Sequence, residues 1–176
     1  MPFEFKPMRI PGLIQIQPRI FGDPRGYFFE TYKKSDFADN GINCDFVQDN
    51  LSFSKQNVLR GLHYQLPPAA QGKLVTVIKG NVWDVAVDIR QESPNYLKWE
   101  AIELNGENHT MVFIPSGFAH GFVALSDEVY FSYKCTSQYV PELERGIRWN
   151  DPDIGIKWPV ENPFVSEKDS KLPFIN

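Results

Sequence analysis

Arg60-Gly61-Leu62-His63-Tyr64-Gln65 places a histidine inside a run of strand-forming residues, three positions after an arginine. The chain has three histidines, His63, His109 and His120. Histidine is the usual general base near neutral pH, because its reference pKa is about 6.5. To do chemistry, His63 needs an acid partner and something to stabilise the anion it forms. Tyr133 lies in Val129–Cys135, where alternation puts Val129, Phe131, Tyr133 and Cys135 on one face. That face is apolar, so the phenol points inward, either as a hydrogen-bonded core tyrosine or as an acid. Arg25, Arg60, Lys73, Lys134, Arg145 and Lys168 lie nearest strand ends or motifs. Most of these read as solvated charges, but Arg60 and Lys73 have apolar neighbours and are the better pocket residues.

Pro115-Ser116-Gly117-Phe118-Ala119-His120 fits a small-barrel pattern in which the proline and glycine turn the chain and the histidine enters the next strand. A metal site of that type also needs an H-x-H and a glutamate on an earlier strand. Here that place reads His63-Tyr64-Gln65, so the second histidine is missing, and His109 is poorly placed to replace it. The ligand count argues for no metal. It leaves His63 and His120 free to act as a base and as a phosphate or hydroxyl contact. Gln48 and Asn50 share the polar face of their strand, which faces solvent or, in a barrel that encloses a pocket, the ligand. Strict alternation puts Arg60 and His63 on opposite faces. A bulge at Gly61 would bring them together.

The elements that must hold these residues are mostly short strands. Residues 1–20 form one or two extended pieces broken by Pro7, Pro11 and Pro18, and a turn at Gly22-Asp23-Pro24 leads into a strand over 26–32. A short helix is expected over 33–40, with Ser35 as N-cap and Gly41 as its stop. Strands follow at 46–54, 58–65, 73–79, 82–89, 99–104, 109–114, 121–125 and 129–136. Asn105-Gly106 reads as a hairpin turn. The tail from Pro141 has no clear period and wraps the surface, with a short helix near 166–170. Short strands at near-regular spacing imply an all-β sandwich or barrel, and a jelly roll fits the strand count. The proline-rich N-terminal strands suggest edge-to-edge pairing in a dimer.

The chain's 176 residues suffice for one domain, 1–176, and 42% hydrophobic content excludes a disordered chain. A net charge of −4 argues against a general nucleic-acid or membrane-surface binder, yet allows a local basic pocket. Cys44 and Cys135 have no metal-type spacing and read as reduced thiols. No signal peptide or bilayer-length apolar run is apparent, so a cytoplasmic protein is expected.

Several motifs run in order along the chain: Phe21-Gly22-Asp23-Pro24-Arg25-Gly26, Gln48-Asp49-Asn50, Leu59 to Gln65, Gln71-Gly72-Lys73-Leu74-Val75, Pro115 to Phe122, Tyr133-Lys134-Cys135, Glu144-Arg145-Gly146-Ile147, Trp149-Asn150-Asp151-Pro152 and Ser166-Glu167-Lys168-Asp169. Taken together they resemble the dTDP-4-dehydrorhamnose 3,5-epimerases. The resemblance covers nearly the whole chain. It implies a cupin-type jelly-roll barrel with short peripheral helices and an irregular C-terminal tail. It further implies a cofactor-independent epimerase acting on dTDP-4-keto-6-deoxyglucose, and a homodimer with exchanged N-terminal strands. On this resemblance His63 is the base, Tyr133 the acid, Lys73 the neighbour of the enolate oxygen and Asp169 the partner that orients His63. Phe21, Arg25, Glu30, Gln48, Asp49, Asn50, Arg60, Lys73, His120, Glu144 and Lys168 match substrate-binding positions, those near Phe21 to Arg25 being supplied by the neighbouring subunit. Tyr139 matches an aromatic that stacks on thymine. A single-position epimerase, a 3,4-ketoisomerase and a non-catalytic nucleotide-sugar binder are the alternatives.

Overall fold

A computed structural model describes residues 2–175. In chain order the strands are β1 (Phe3–Pro7), β2 (Ile14–Pro18), β3 (Phe21–Asp23), β4 (Gly26–Phe28), β5 (Gln48–Lys55), β6 (Val58–Gln65) and β7 (Lys73–Lys79). They continue with β8 (Asn81–Asp88), β9 (Trp99–Asn105), β10 (Met111–Ile114), β11 (Phe118–Ala124), β12 (Glu128–Cys135), β13 (Glu144–Gly146) and β14 (Phe164–Val165). Two short helices, α1 (Lys34–Asp39) and α2 (Glu167–Ser170), lie outside the sheets. One sheet runs β1-β2-β10-β7-β12-β5; the facing sheet runs β13-β6-β11-β8-β9, with β14 also on β6. This is the all-β jelly roll expected from the strand spacing. No helix of the described residues is long and apolar enough to cross a membrane.

Three apolar clusters explain the layering. Between the sheets, Val75, Val77, Val82, Ala86, Phe122, Val129 and Phe131 fill one end of the barrel. Phe37 of α1 and Phe3 of β1 cover the outer side of the first sheet over Leu74, Met111 and Phe113. Ile147, Ile154 and Trp158 of the tail cover the second over Leu62, Val85 and Val87. That cover explains why β8 is buried along most of its length: Val82, Asp84 and Ala86 face the interior while Val85 and Val87 meet the tail. Such burial on both faces is normal for a strand between two apolar layers. Asp151 pins the tail, accepting hydrogen bonds from the backbone N–H groups of Asp153, Ile154 and Ile175.

Several local expectations are corrected. Ser35 lies inside α1; Lys33 occupies the N-cap position and makes no side-chain cap bond, whereas Gly41, at φ +86°, does follow the helix end. The strand expected over 26–32 ends at Phe28. Asn105-Gly106 does not close a hairpin, because β9 pairs with β8 and β10 pairs with β2 and β7. Asn105 Oδ1 instead accepts from the N–H groups of Glu107 and Asn108, and that side-chain turn carries the chain from one sheet to the other. The tail is not wholly irregular, since β13 and β14 both pair with β6. On β5 the apolar side chains point outward, with Val47 just before it; Leu51 is 65% exposed while Gln48, Asn50 and Ser52 are half-buried. Alternation on a barrel edge strand does not tell core from solvent when the interior is itself a polar pocket.

Candidate active site

The bulge at Gly61 organises one wall. His63 lies opposite His120 across β6 and β11, but the next matched pair is Arg60 with Phe122, so β6 carries one extra residue between them. The bulge turns Arg60 and His63 to the same interior face. Gly61 has φ +134°, a conformation that favours glycine. A Cβ there would lie 2.6 Å from the Gly121 Cα, so the close approach of β6 and β11 also requires it.

The bulge has a second effect. On its free edge β6 pairs with β14 at Val58 and Leu59 and with β13 from His63 onward. Between these contacts the Gly61 N–H donates to Asp169 Oδ2 at 3.3 Å. The other oxygen, Oδ1, accepts from His63 Nε2 at 2.7 Å. Asp169 comes from α2, and its own N–H is capped by the Ser166 hydroxyl. Burial raises the Asp169 pKa, but the bond and charge of His63, the Gly61 N–H and Lys168 together outweigh it, so the carboxyl sits below its ordinary value. An ionised Asp169 holds the proton on Nε2 and leaves the His63 Nδ1 lone pair available as a base.

His120 has a similar partner. Its Nε2 donates to Asp84 Oδ2 at 2.8 Å, and both residues are buried. Asp84 was missed in the sequence, although a carboxylate inside the apolar run Val82 to Ile89 was a signal for it. Arg60 is held from the facing sheet: its Nε donates to Ser54 Oγ at 3.0 Å and its terminal nitrogen to the Phe53 carbonyl at 2.9 Å.

The opposite wall comes from β5, β7 and β12. Register places Tyr133 between Asn50 and Val75, and Cys135 between Gln48 and Lys73. The Tyr133 pKa is raised by burial first and then by Cys135, against a smaller opposing effect of Arg60. The phenol therefore stays protonated. Burial lowers the Lys73 pKa, only partly offset by Cys135, Asp84 and Glu144. None of the ion pairs among the described residues engages Lys73. A poorly hydrated cation without a carboxylate partner binds an incoming anion strongly.

The walls enclose a two-lobed cleft. One lobe, about 300 Å³, is lined by Ser52, Arg60, His63, Lys73, His120 and Tyr133, with Lys168 and Asp169 at its rim and Phe122 and Phe131 stacked 4.2 Å apart in its lining. The other, about 280 Å³, adds Gln48, Asn50, Gln71, Tyr139 and Glu144. His63, Lys73 and Tyr133 line both. The rim is tied by Glu144 Oε2, which accepts from the Tyr139 hydroxyl at 2.7 Å and pairs with Lys168. Burial raises the Glu144 pKa, but Lys168 and Tyr139 pull it down further.

Not every expected residue lies here. Asp49 points to the outer side of β5, where it pairs with Lys134 at 2.9 Å, because alternation turns it away from Gln48 and Asn50. Phe21 and Arg25 sit on the separate β3–β4 hairpin, and Arg25 is exposed and paired with Asp23. Glu30 is half-buried, and neither lobe includes it. His109 packs against Phe29 and Tyr27 at the base of that hairpin, with ring centroids 4.5 and 5.0 Å away.

The sequence model of a family described as dTDP-4-dehydrorhamnose 3,5-epimerase matches residues 7–176. A relative of that name from Methanothermobacter thermautotrophicus is 51% identical over 170 residues, covering 95% of this chain and 91% of its own. The crystal structure of a Legionella pneumophila dTDP-6-deoxy-D-glucose-3,5-epimerase with dTDP-4-keto-L-rhamnose is 45% identical. It superposes with a TM-score of 0.94 and covers 98% of this chain and 92% of that one. A Bacillus anthracis dTDP-4-dehydrorhamnose 3,5-epimerase with TDP and pyrophosphate bound is 38% identical at a TM-score of 0.96, covering 98% and 99%.

Proposed function

The chain belongs to the dTDP-4-dehydrorhamnose 3,5-epimerase family, and on that premise we propose how its own residues carry out the reaction. The activity is isomerisation of dTDP-4-dehydro-6-deoxy-D-glucose to dTDP-4-dehydro-L-rhamnose, by inversion at C3 and C5. Both carbons flank the C4 ketone, so a proton on either is acidic if the enolate is stabilised as it forms. The observation that carries the assignment is the placement of base and acid on opposite walls of one cleft. His63 Nδ1 removes the proton, and the electron pair moves through the C–C bond to the C4 oxygen. Lys73 neutralises the developing oxyanion. Tyr133 then delivers its hydroxyl proton to the other face of the same carbon, inverting it. Asp169 keeps His63 oriented and stabilises the imidazolium. Solvent exchange resets both groups, and a shift of the ring presents the second carbon. Arg60, His120 and Lys168 hold the sugar and diphosphate, and Gln48, Asn50, Tyr139 and Glu144 hold the nucleoside end. Cys44 and Cys135 both carry free thiols, which fits a reducing cytoplasm.

Turnover in deuterium oxide tests the division of roles. The wild-type product is expected to be L-configured and to carry deuterium at both C3 and C5. One exchanged carbon in the wild-type product would instead indicate a single-position epimerase, and no turnover at all a binding protein. Tyr133→Phe is expected to keep exchange at one carbon, because His63 still removes a proton, and to form less than about 1% of the inverted product. Normal inversion by that variant would assign the acid elsewhere.

We propose further that the β3–β4 hairpin completes the cleft of a second copy in a homodimer. The hairpin exposes Phe21, Tyr27 and Phe28, at 48%, 62% and 66%, on a two-stranded sheet separate from the barrel. Isolated two-stranded ribbons are marginal unless something packs on them. Mixing inactive His63→Ala protein with Arg25→Ala protein under subunit exchange is expected to restore activity at about a quarter of the sites, since each mixed dimer holds one intact cleft. Failure to complement would place the hairpin's function within its own chain.

A further inference from the structure

Gln65 occupies the strand position where a metal-binding barrel would carry its second histidine, and its side chain makes a different set of contacts. It is 7% exposed, on β6 two residues from His63 and therefore on the same face. Its Nε2 donates to the carbonyls of Ala69 at 2.8 Å and Gln138 at 3.1 Å. Its Oε1 accepts from the Val140 N–H at 2.7 Å. Between Gln138 and Val140 stands Tyr139, whose own N–H donates to Gln48 Oε1 at 2.8 Å. Residues 138–140 belong to no strand or helix. Two glutamine side chains, one from each sheet, therefore take one backbone group from each of three successive residues of this irregular segment. A loop without ladder bonds has several backbone states of similar energy, and buried amides that satisfy its polar groups select one of them.

We infer that Gln65 is a positioning residue for nucleotide binding: it fixes the segment that presents Tyr139 to the base of the dTDP moiety. The inference rests on Tyr139 being the aromatic platform for that base. Gln65 lines the same lobe as Gln48 and Tyr139, but its amide is already engaged by the Ala69 and Gln138 carbonyls and the Val140 N–H, so it acts on affinity through Tyr139 and leaves the proton transfers at His63 and Tyr133 largely unchanged. Placing an amide here, in step with His63, lets one strand set both the base and the nucleotide platform.

The test is a thermodynamic cycle with thymidine diphosphate as probe, measured by calorimetry on wild type, Gln65→Met, Tyr139→Ala and the double variant. Gln65→Met keeps the length and removes all three bonds. It is expected to weaken thymidine diphosphate about tenfold and to raise KM for the dTDP-sugar by a similar factor, with kcat within about twofold. The double variant is expected to bind no more weakly than Tyr139→Ala, because Gln65 has nothing left to position. Gln65→Glu keeps the acceptor for Val140 and loses both donors, so an intermediate loss is expected; it carries the test if the methionine variant does not fold. Unchanged binding by Gln65→Met, or a loss that adds fully to that of Tyr139→Ala, would overturn the positioning role. Wild-type affinity in Tyr139→Ala would overturn the platform assignment itself, a separate failure visible in a separate arm.

Discussion

His63→Ala is expected to lose about three to four orders of magnitude in kcat on dTDP-4-dehydro-6-deoxy-D-glucose, with KM changed only a few-fold. The size follows from what the residue does. Removing a proton from a carbon next to a ketone is slow without a base held in line, and His63 is the more exposed of the two histidines that line the cleft, with 28% of its side chain accessible against 8% for His120. His120 is the nearest substitute, with the same Nε2–carboxylate arrangement toward Asp84, but it is buried on β11 beside the Phe131 ring. The small change in KM follows because the groups that hold the sugar and diphosphate, Arg60, His120 and Lys168, are untouched. The same variant should show no deuterium incorporation at C3 or C5 in single-turnover experiments. Turnover at the wild-type rate would remove His63 as the base and, with it, the role assigned to Asp169.

Gly61→Ala is expected to be the most damaging change to the fold that leaves every named functional side chain in place. A non-glycine residue at φ +134° carries backbone strain of about 1–3 kcal/mol. The added Cβ also meets backbone, not a movable side chain: Gly121 Cα at 2.6 Å and the His120 carbonyl oxygen at 3.0 Å. Relief requires β6 and β11 to separate, which breaks the register that sets His63 beside His120. The combined cost is on the order of 4 kcal/mol or more, a large part of the stability of one domain. Thermal unfolding is expected at a Tm about 10–15 °C below wild type. Activity per folded molecule should fall too, since the Gly61 N–H that steadies Asp169 belongs to the same bulge. A Tm within about 2 °C of wild type would show that the strands accommodate the methyl group.

These expectations draw on different parts of what the chain encodes. Local pattern sufficed for the strands over 58–65 and 73–79, whose alternation and flanking turns leave little choice. It sufficed for the inward face of β12, because four residues at period two, from Val129 to Cys135, are buried or half-buried. It also sufficed for the need for a bulge at Gly61, because period two cannot otherwise bring Arg60 and His63 to one side. Where local signals competed with distant partners, pattern misled. Asn105-Gly106 has the composition of a hairpin turn, yet β9 and β10 find better partners in different sheets. Ser35 has the chemistry of a cap, yet α1 begins one residue before it.

The sequence by itself determined the family and the candidate reagents: a lone histidine where a metal barrel would carry two, a tyrosine on an inward face and an ordered set of motifs from Phe21 to Asp169. Those are properties of residue type and spacing, which survive without coordinates. Only the tertiary structure decided which residues meet. It set Asp84 beside His120 and turned Asp49 away to Lys134. It put Arg25 on a hairpin outside its own cleft and brought Asp169 across 106 positions to His63. The physical reason is that proximity across a barrel depends on strand register and on where a bulge shifts it. Both are set by backbone pairing summed over the whole sheet, and no local window of residues contains that sum.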